Sequence, residues 1–168
     1  MMRVFILILI VSSSFFAQDK LALLIKVTNN TTLHMKYQQT PFLCQPYGVE
    51  TLDALANRQD VNGSCKQVLQ RFRENQPKEK FYAQMLFHVQ QQYTVRAVDD
   101  RCLLLLSFAH SYSEKLLEKG YARILPTLVY KDELLQYRFL QAVKRAKREK
   151  NGIWQDEDFE MCFLLPPK

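Results

Sequence analysis

The clearest alternation of apolar and polar positions lies between residues 134 and 150. Apolar side chains recur there every three or four residues, the spacing of one face of an α-helix, at Leu135, Phe139, Ala142, Val143 and Ala146. Gly152 follows and suits the left-handed residue that ends a helix. The pattern therefore predicts an amphipathic helix whose apolar stripe packs on a core, after which Ile153 and Trp154 fold back onto the domain.

Elsewhere the pattern predicts short strands and short helices. Alternating or wholly apolar runs joined by polar turns predict strands, at residues 21–27, 31–37, 93–98, 102–108 and 121–130. Helical spacing predicts further helices, at residues 49–58, 64–76 and 111–119. Residues 40–48 are rich in turn formers, and residues 78–87 fit a helix or a strand. This order predicts the α+β class.

The N-terminus has the composition of a secretory signal. Arg3 precedes an unbroken apolar run from Val4 to Val11, and small residues follow. The run is too short to span a bilayer comfortably. We expect residues 1–17 to be a signal peptide, residues 18–168 to form one domain, and the protein to be exported, to the periplasm or the medium. The exact cleavage site stays open, and an uncleaved anchor is the alternative.

Four cysteines lie in the expected mature segment, at Cys44, Cys65, Cys102 and Cys162. An even number in an oxidising compartment favours disulfides, and we expect one bridge between Cys44 and Cys65. Buried thiols are the alternative. We assign no metal to these residues, because no two cysteines are close in sequence and the three histidines are scattered.

The formal net charge of +6 suits a polyanionic partner. Nucleic acid fits this description, and so does an anionic lipid or wall surface. The C-terminal helix concentrates cations near its end, where the helix dipole favours them, and we assign nucleic-acid binding to Lys144, Arg145, Lys147 and Arg148. A solvated basic helix without a ligand is the alternative, and a protein partner in the cell envelope is a further hypothesis.

Two motifs in the C-terminal half resemble the staphylococcal nuclease, or thermonuclease, family. The first is S-E-K-L-L-E-K-G-Y-A, from Ser113 to Ala122, and the second is A-K-R-E-K-N-G-I-W, from Ala146 to Trp154. The resemblance implies a small OB-type β-barrel with about three helices. Residues 60–87 are longer and more helical than the family's usual connection, so we expect a helical insertion there.

The family resemblance also implies a calcium site and a catalytic centre. Aspartates would hold the ion, a glutamate would act toward the attacking water, and two arginines would hold the phosphate. In one alignment Gln45-Pro46-Tyr47-Gly48 matches a family motif, while Gln39 and Phe42 replace the metal aspartate and the catalytic glutamate. The upstream arginine position then falls near His34.

A second alignment keeps two carboxylates, Glu50 and Asp53. It places Asn29 and Thr31 where the family has its early acids, and Gln45 where the family has its first arginine. We favour the first alignment because its motif is the rarer match. In both alignments Arg101 resembles the second, phosphate-binding arginine, with an ordinary turn arginine paired to a neighbouring aspartate as the alternative.

Most of the implied nuclease site is missing in the favoured alignment. Loss of the metal carboxylates and the base would remove large contributions to the rate. We therefore predict an exported, divergent thermonuclease-like protein, a pseudoenzyme without a cofactor that binds nucleic acid or a protein assembly. The alternative is an active secreted nuclease that uses calcium at an altered site built from Arg101, Glu50 and Asp53.

Overall fold

The computed structural model describes residues 18–107, 110–126 and 132–163, with side chains described as far as residue 160. Its strands are β1 Lys20–Val27, β2 Leu33–Tyr37, β3 Thr40–Cys44, β4 Val49–Thr51, β5 Gln92–Val98, β6 Arg101–Ser107, β7 His110–Ser111 and β8 Ala122–Ile124. Its α-helices are α1 Leu52–Asn57, α2 Gly63–Asn75, α3 Tyr82–Leu86, α4 Tyr112–Glu118, α5 Glu133–Arg148 and α6 Asp158–Phe163. Two 3-10 helices cover Pro77–Phe81 and Gly152–Gln155.

The strands form one large antiparallel sheet and one small one. The large sheet has the order β3-β2-β1-β5-β6-β7, and β4 pairs with β8. The chain after β3 also runs beside β6, because Tyr47 N donates to Cys102 O and Cys102 N donates to Gln45 O, each at 2.9 Å. The sheet therefore curls until its first and fifth strands meet. The α+β class is confirmed, although the described strands do not hydrogen-bond into a closed barrel.

Residues 40–48 differ from the turn-rich segment that we expected. The chain turns at Gln38, whose φ is 53°, and residues 40–44 then pair with β2 as strand β3. Pro41 is tolerated in this strand because β3 is an edge of the sheet, where a missing N–H breaks no ladder. The predicted helix at residue 49 starts later, at Leu52, where Thr51 Oγ1 caps it by accepting from Ala54 N.

The apolar stripe of α5 packs as the sequence predicts. Leu135, Phe139, Ala142 and Ala146 are buried, and Val143 is partly buried against the same core. This core lies between the large sheet and helices α4 and α5. A second core joins α1, α2 and α6, and includes the fully buried Ile153 and Phe159.

Two glycines hold the end of α4 against the end of α5. Lys150, which follows the C-cap residue Glu149 of α5, takes the left-handed conformation (φ 51°), and Gly152 is left-handed as well (φ 56°). A Cβ atom on Gly152 would lie 2.2 Å from Lys119 O, and one on Gly120 would lie 2.2 Å from Asn151 O. Both positions therefore need glycine for a close backbone contact, which links the two motifs that carry the family resemblance.

The predicted bridge between Cys44 and Cys65 is wrong. Cys44 is bonded to Cys102, with their Cα atoms 5.4 Å apart, because the curl of the sheet brings the end of β3 onto β6. Cys65 lies instead at the start of α2 in the second core, and it too is disulfide-bonded. Among the described helices, none is long and apolar enough to cross a membrane.

Candidate functional site

The turn between β1 and β2 lies directly against the start of α1. The hydroxyl groups of Thr31 and Thr51 are hydrogen-bonded to each other, and Asn30 N donates to Asp53 Oδ2 at 3.3 Å. These contacts bring residues 30–31 against residues 51–53, the two segments that the second alignment matches to the family's site. Gln39, which the first alignment puts at the metal aspartate, is exposed in the turn between β2 and β3. The geometry thus favours the second alignment over the one that the motif suggested.

Glu50 is buried between two arginines. Its Oε2 atom accepts from Arg123 Nε at 2.7 Å and lies 2.6 Å from Arg123 Nη2, while Oε1 accepts from Arg58 Nη1 at 3.1 Å. Arg123 faces Glu50 because the two are partners in the β4–β8 register. Arg58 is placed by the end of α1 and is also paired with Asp60. Both oxygens of the Glu50 carboxylate are therefore engaged by guanidinium groups.

Asp53 is also held by an arginine. Its Oδ1 atom accepts from Arg73 Nη2 at 2.7 Å, and both side chains are mostly buried. Arg73 belongs to α2, within the predicted insertion at residues 60–87. Helix α2 thus supplies a cation to the second carboxylate of the candidate site.

Glu79 brings a third carboxyl group to the same place. It is fully buried, its Oε1 atom accepts from Asn30 Nδ2 at 3.0 Å, and its Oε2 atom lies 3.8 Å from Arg73 Nε. Burial raises the pKa of Glu79 from 4.5 to about 7, with the negative charge of Asp53 as the next cause. The sequence contained no local signal for Glu79, Arg73, Arg58 or Arg123 as site residues, since only the fold brings them to Glu50 and Asp53.

The residues at these positions do not fit a calcium ion. Calcium takes six to eight oxygen ligands, several of them carboxylate. Here a threonine stands at one acidic position, and the carboxylates of Glu50 and Asp53 face guanidinium groups that would repel a cation. Within the described ranges, no group of three or more His, Cys, Asp or Glu residues is arranged to hold a metal ion.

Arg101 is fixed by the backbone at the start of β6. Its Nη1 atom donates to Pro46 O at 3.3 Å and to Val49 O at 3.2 Å. These bonds place the side chain next to the strand that carries Glu50. Arg101 also lines a cavity of about 340 Å³ together with Asp99 and Asp100.

The cations assigned to nucleic-acid binding lie on the outside of α5. Arg145 pairs with Glu118 at 3.2 Å, Arg148 pairs with Glu149 at 3.3 Å, and Lys147 pairs with Glu160 while its Nζ lies 4.6 Å from the centroid of the Trp154 ring. Lys144 forms no ion pair with the described residues. Exposed ion pairs of this kind contribute little to stability, so their cations can exchange a carboxylate for a phosphate.

Arg138 has a different role from the other α5 cations. Its guanidinium makes two hydrogen bonds to the buried Glu114, at 2.7 and 2.6 Å. Glu114 also accepts from the backbone N–H of Ser111, completing the capping box of α4. This pair therefore fixes α5 on α4, and the basic surface begins only further along the helix.

The family model of the staphylococcal nuclease homologue matches residues 24–156. The match covers most of the chain, including most of both sheets, the candidate site and α5. The protein therefore belongs to the staphylococcal nuclease homologue family. A comparison with curated proteins finds no significant match.

Proposed function

We propose that this member of the family is exported, binds nucleic acid and no longer hydrolyses it with calcium. The observation that carries the proposal is the position of Glu50 between Arg58 and Arg123. In the second alignment, Glu50 and Asp53 are the acids that remain from the family's site. Both neutralise arginines inside the protein, which removes them from metal binding.

Freeing these carboxylates for a metal would be unfavourable. Breaking a buried ion pair by removing one partner costs about 3–5 kcal/mol, because the other charge is left unpaired. Arg123 is only 9% exposed, so it has little access to water once Glu50 leaves it. Without the ion, the site lacks the charge stabilisation and water activation on which metal-dependent hydrolysis depends.

Export is supported by the cysteines as well as by the N-terminal sequence. The bond between Cys44 and Cys102 and the disulfide at Cys65 belong to the protein's ordered core. Disulfides of this kind persist in oxidising compartments and are rare in the cytosol. The predicted signal at residues 1–17 lies outside the described residues.

Binding to nucleic acid is supported by the exposed cations of α5. Arg145, Lys147 and Arg148 follow one another along the last turns of the helix, and their side chains are 43–74% exposed. A row of exposed cations of this kind can contact successive phosphates. Each phosphate contact releases counterions, so such binding weakens steeply as salt rises.

A cleavage assay tests the loss of hydrolysis. Mature protein is incubated with single- and double-stranded DNA and with RNA, in calcium and then in chelator, and we expect no chelator-sensitive cleavage. Asp60→Asn serves as the control for Glu50→Gln, because Asp60 contacts the same Arg58 from the exposed side. Cleavage that chelator stops and that only Glu50→Gln abolishes, in a variant shown to be folded, would instead establish the active nuclease.

A salt titration tests the binding. We expect affinity for DNA to fall by powers of ten between about 50 and 200 mM salt if six or more phosphates are contacted. Reversal of Lys144, Arg145 and Arg148 to glutamate should weaken binding without a large change in melting temperature. The matched control replaces three exposed lysines of the predicted insertion by glutamate: Lys66, Lys78 and Lys80. Binding that is absent, or indifferent to salt, would overturn this part of the proposal and point to a protein partner.

A further inference from the structure

A cavity of about 340 Å³ lies at the end of the large sheet away from Thr31 and Asp53, between the β2–β3 turn and the β5–β6 turn. Its polar and aromatic lining consists of two aromatic rings, two cations and two carboxylates, at Tyr37, Phe42, Lys20, Arg101, Asp99 and Asp100. The rest of the lining is mostly apolar. This combination differs from both the arginine-bound carboxylates and the basic face of α5.

The aromatic rings offer a surface for stacking. Tyr37 and Phe42 are both half-buried, and Lys20 Nζ lies 4.9 Å from the centroid of the Tyr37 ring. Proteins that hold single-stranded nucleic acid combine aromatic side chains, on which bases stack, with cations that follow the backbone. Both components are present in this cavity.

The polar groups fit the remaining parts of a nucleotide. Arg101 is one of the lining residues; it uses Nη1 for the carbonyl groups of Pro46 and Val49, which leaves its other N–H groups for a phosphate. Asp100 makes no hydrogen bond or ion pair within the described part of the chain. A carboxylate can accept from the amino group of a base, as acidic residues do from cytosine N4.

We propose that this cavity binds one unpaired, amino-bearing nucleobase of a single-stranded nucleic acid. The base stacks on Tyr37 and Phe42, Asp100 accepts from its amino group, and Lys20 and Arg101 contact the adjoining phosphates. A paired base cannot enter, because its faces are covered by its neighbours and its edge is used by its partner. The inference rests on the proposed nucleic-acid binding and adds that the protein selects single strands.

The test is fluorescence anisotropy with a labelled strand of about 12 deoxycytidines and with a duplex of the same length. Tyr37→Ala and Phe42→Ala should each weaken single-strand binding by about tenfold, the lower range for loss of one base stack, and leave duplex binding unchanged. Tyr37→Phe should keep single-strand binding, since it keeps the ring. Phe81→Ala is the control, because Phe81 is an exposed aromatic residue (52%) on the 3-10 helix Pro77–Phe81.

The base preference gives an independent readout. The wild type should bind oligodeoxycytidine more tightly than oligothymidine, which lacks an amino group, and Asp100→Ala should abolish that preference. Equal losses for single strand and duplex, or no loss in either alanine variant, would overturn the inference. If the cavity variants bind both probes as the wild type does, while the glutamate replacements in α5 still weaken binding, only the cavity assignment fails. If the wild type binds neither probe, the proposed function fails with it.

Discussion

The buried carboxyl group of Glu79 makes the stability of this protein depend on pH in an unusual direction. In the folded state its pKa is raised from 4.5 to about 7, chiefly by burial. The folded protein therefore binds a proton more tightly than the unfolded chain does. Stability should be greatest below about pH 4.5 with respect to this group, and should fall as the pH rises to about 7.

The size of the effect follows from the displacement of the pKa. One pH unit corresponds to about 1.4 kcal/mol, so a change from 4.5 to about 7 corresponds to a loss of about 3 kcal/mol at neutral pH. Glu79→Gln removes the charge and retains an oxygen that can accept from Asn30 Nδ2. The variant should therefore match the wild type near pH 4.5 and exceed its unfolding free energy by up to about 3 kcal/mol at pH 8.

The measurement is urea unfolding followed by the fluorescence of the single tryptophan, Trp154, at several pH values from about 4.5 to 8. The quantity compared is the difference between variant and wild type, which cancels the titration of the remaining groups. Glu74→Gln is the control because Glu74 is an exposed carboxylate on α2, bonded to Gln70. Parallel curves for Glu79→Gln and the wild type would refute the reasoning.

Three further predictions concern a glycine of the backbone and the disulfides. Gly152→Ala should lower the unfolding free energy, measured by chemical denaturation, by more than about 1 kcal/mol, because φ is 56° and the new Cβ would meet a backbone oxygen at 2.2 Å. Gly63→Ala is the control, since a Cβ there would have no atom within 4 Å. Equal effects of the two substitutions would contradict the argument. Replacing Cys44 and Cys102 by alanine should cost about 4 kcal/mol for a separation of 58 residues, measured by thermal unfolding against the oxidised wild type. Peptide mapping without reduction should recover the 44–102 pair and join Cys65 to the remaining cysteine, whereas a Cys44–Cys65 peptide would contradict the described pairing.

Local patterns predicted the elements that depend on local physics. The α5 stripe from Leu135 to Ala146 has a single helical period, so its buried face could be read directly from the sequence. Strand β3 was missed because Pro41, Pro46 and Gly48 make residues 40–48 resemble a turn, and only the place of β3 at the sheet edge makes Pro41 acceptable in a strand. The pairing of Cys44 with Cys102 depends on the curl of the whole sheet, which no spacing along the chain reveals.

The candidate site was harder to predict for the same reason. The sequence made Glu50, Asp53 and Arg101 candidates, but the groups around the two carboxylates come from distant elements. Arg123 of β8 pairs with Glu50, Arg73 of α2 pairs with Asp53, and Glu79 of the following 3-10 helix lies against Arg73. The motif Gln45-Pro46-Tyr47-Gly48 favoured an alignment that the contacts of Thr31 and Asp53 do not support. The short motif match therefore located the site less well than the contacts that residues 30–31 make with residues 51–53 in the structure.

The arginines explain how the carboxylates of Glu50 and Asp53 can stay mostly buried in this fold. A buried carboxylate is unfavourable unless it is paired, so acids that lose a metal must gain another cation or be replaced. Glu50 is paired with two guanidinium groups and Asp53 with one, the latter from α2. The 3-10 helix after α2 also packs on this region, where Asn30 donates a hydrogen bond to Glu79. These ion pairs thus contribute to the packing of the domain. On the proposed function, nucleic acid binds instead at the outer face of α5 and at the cavity beside Tyr37.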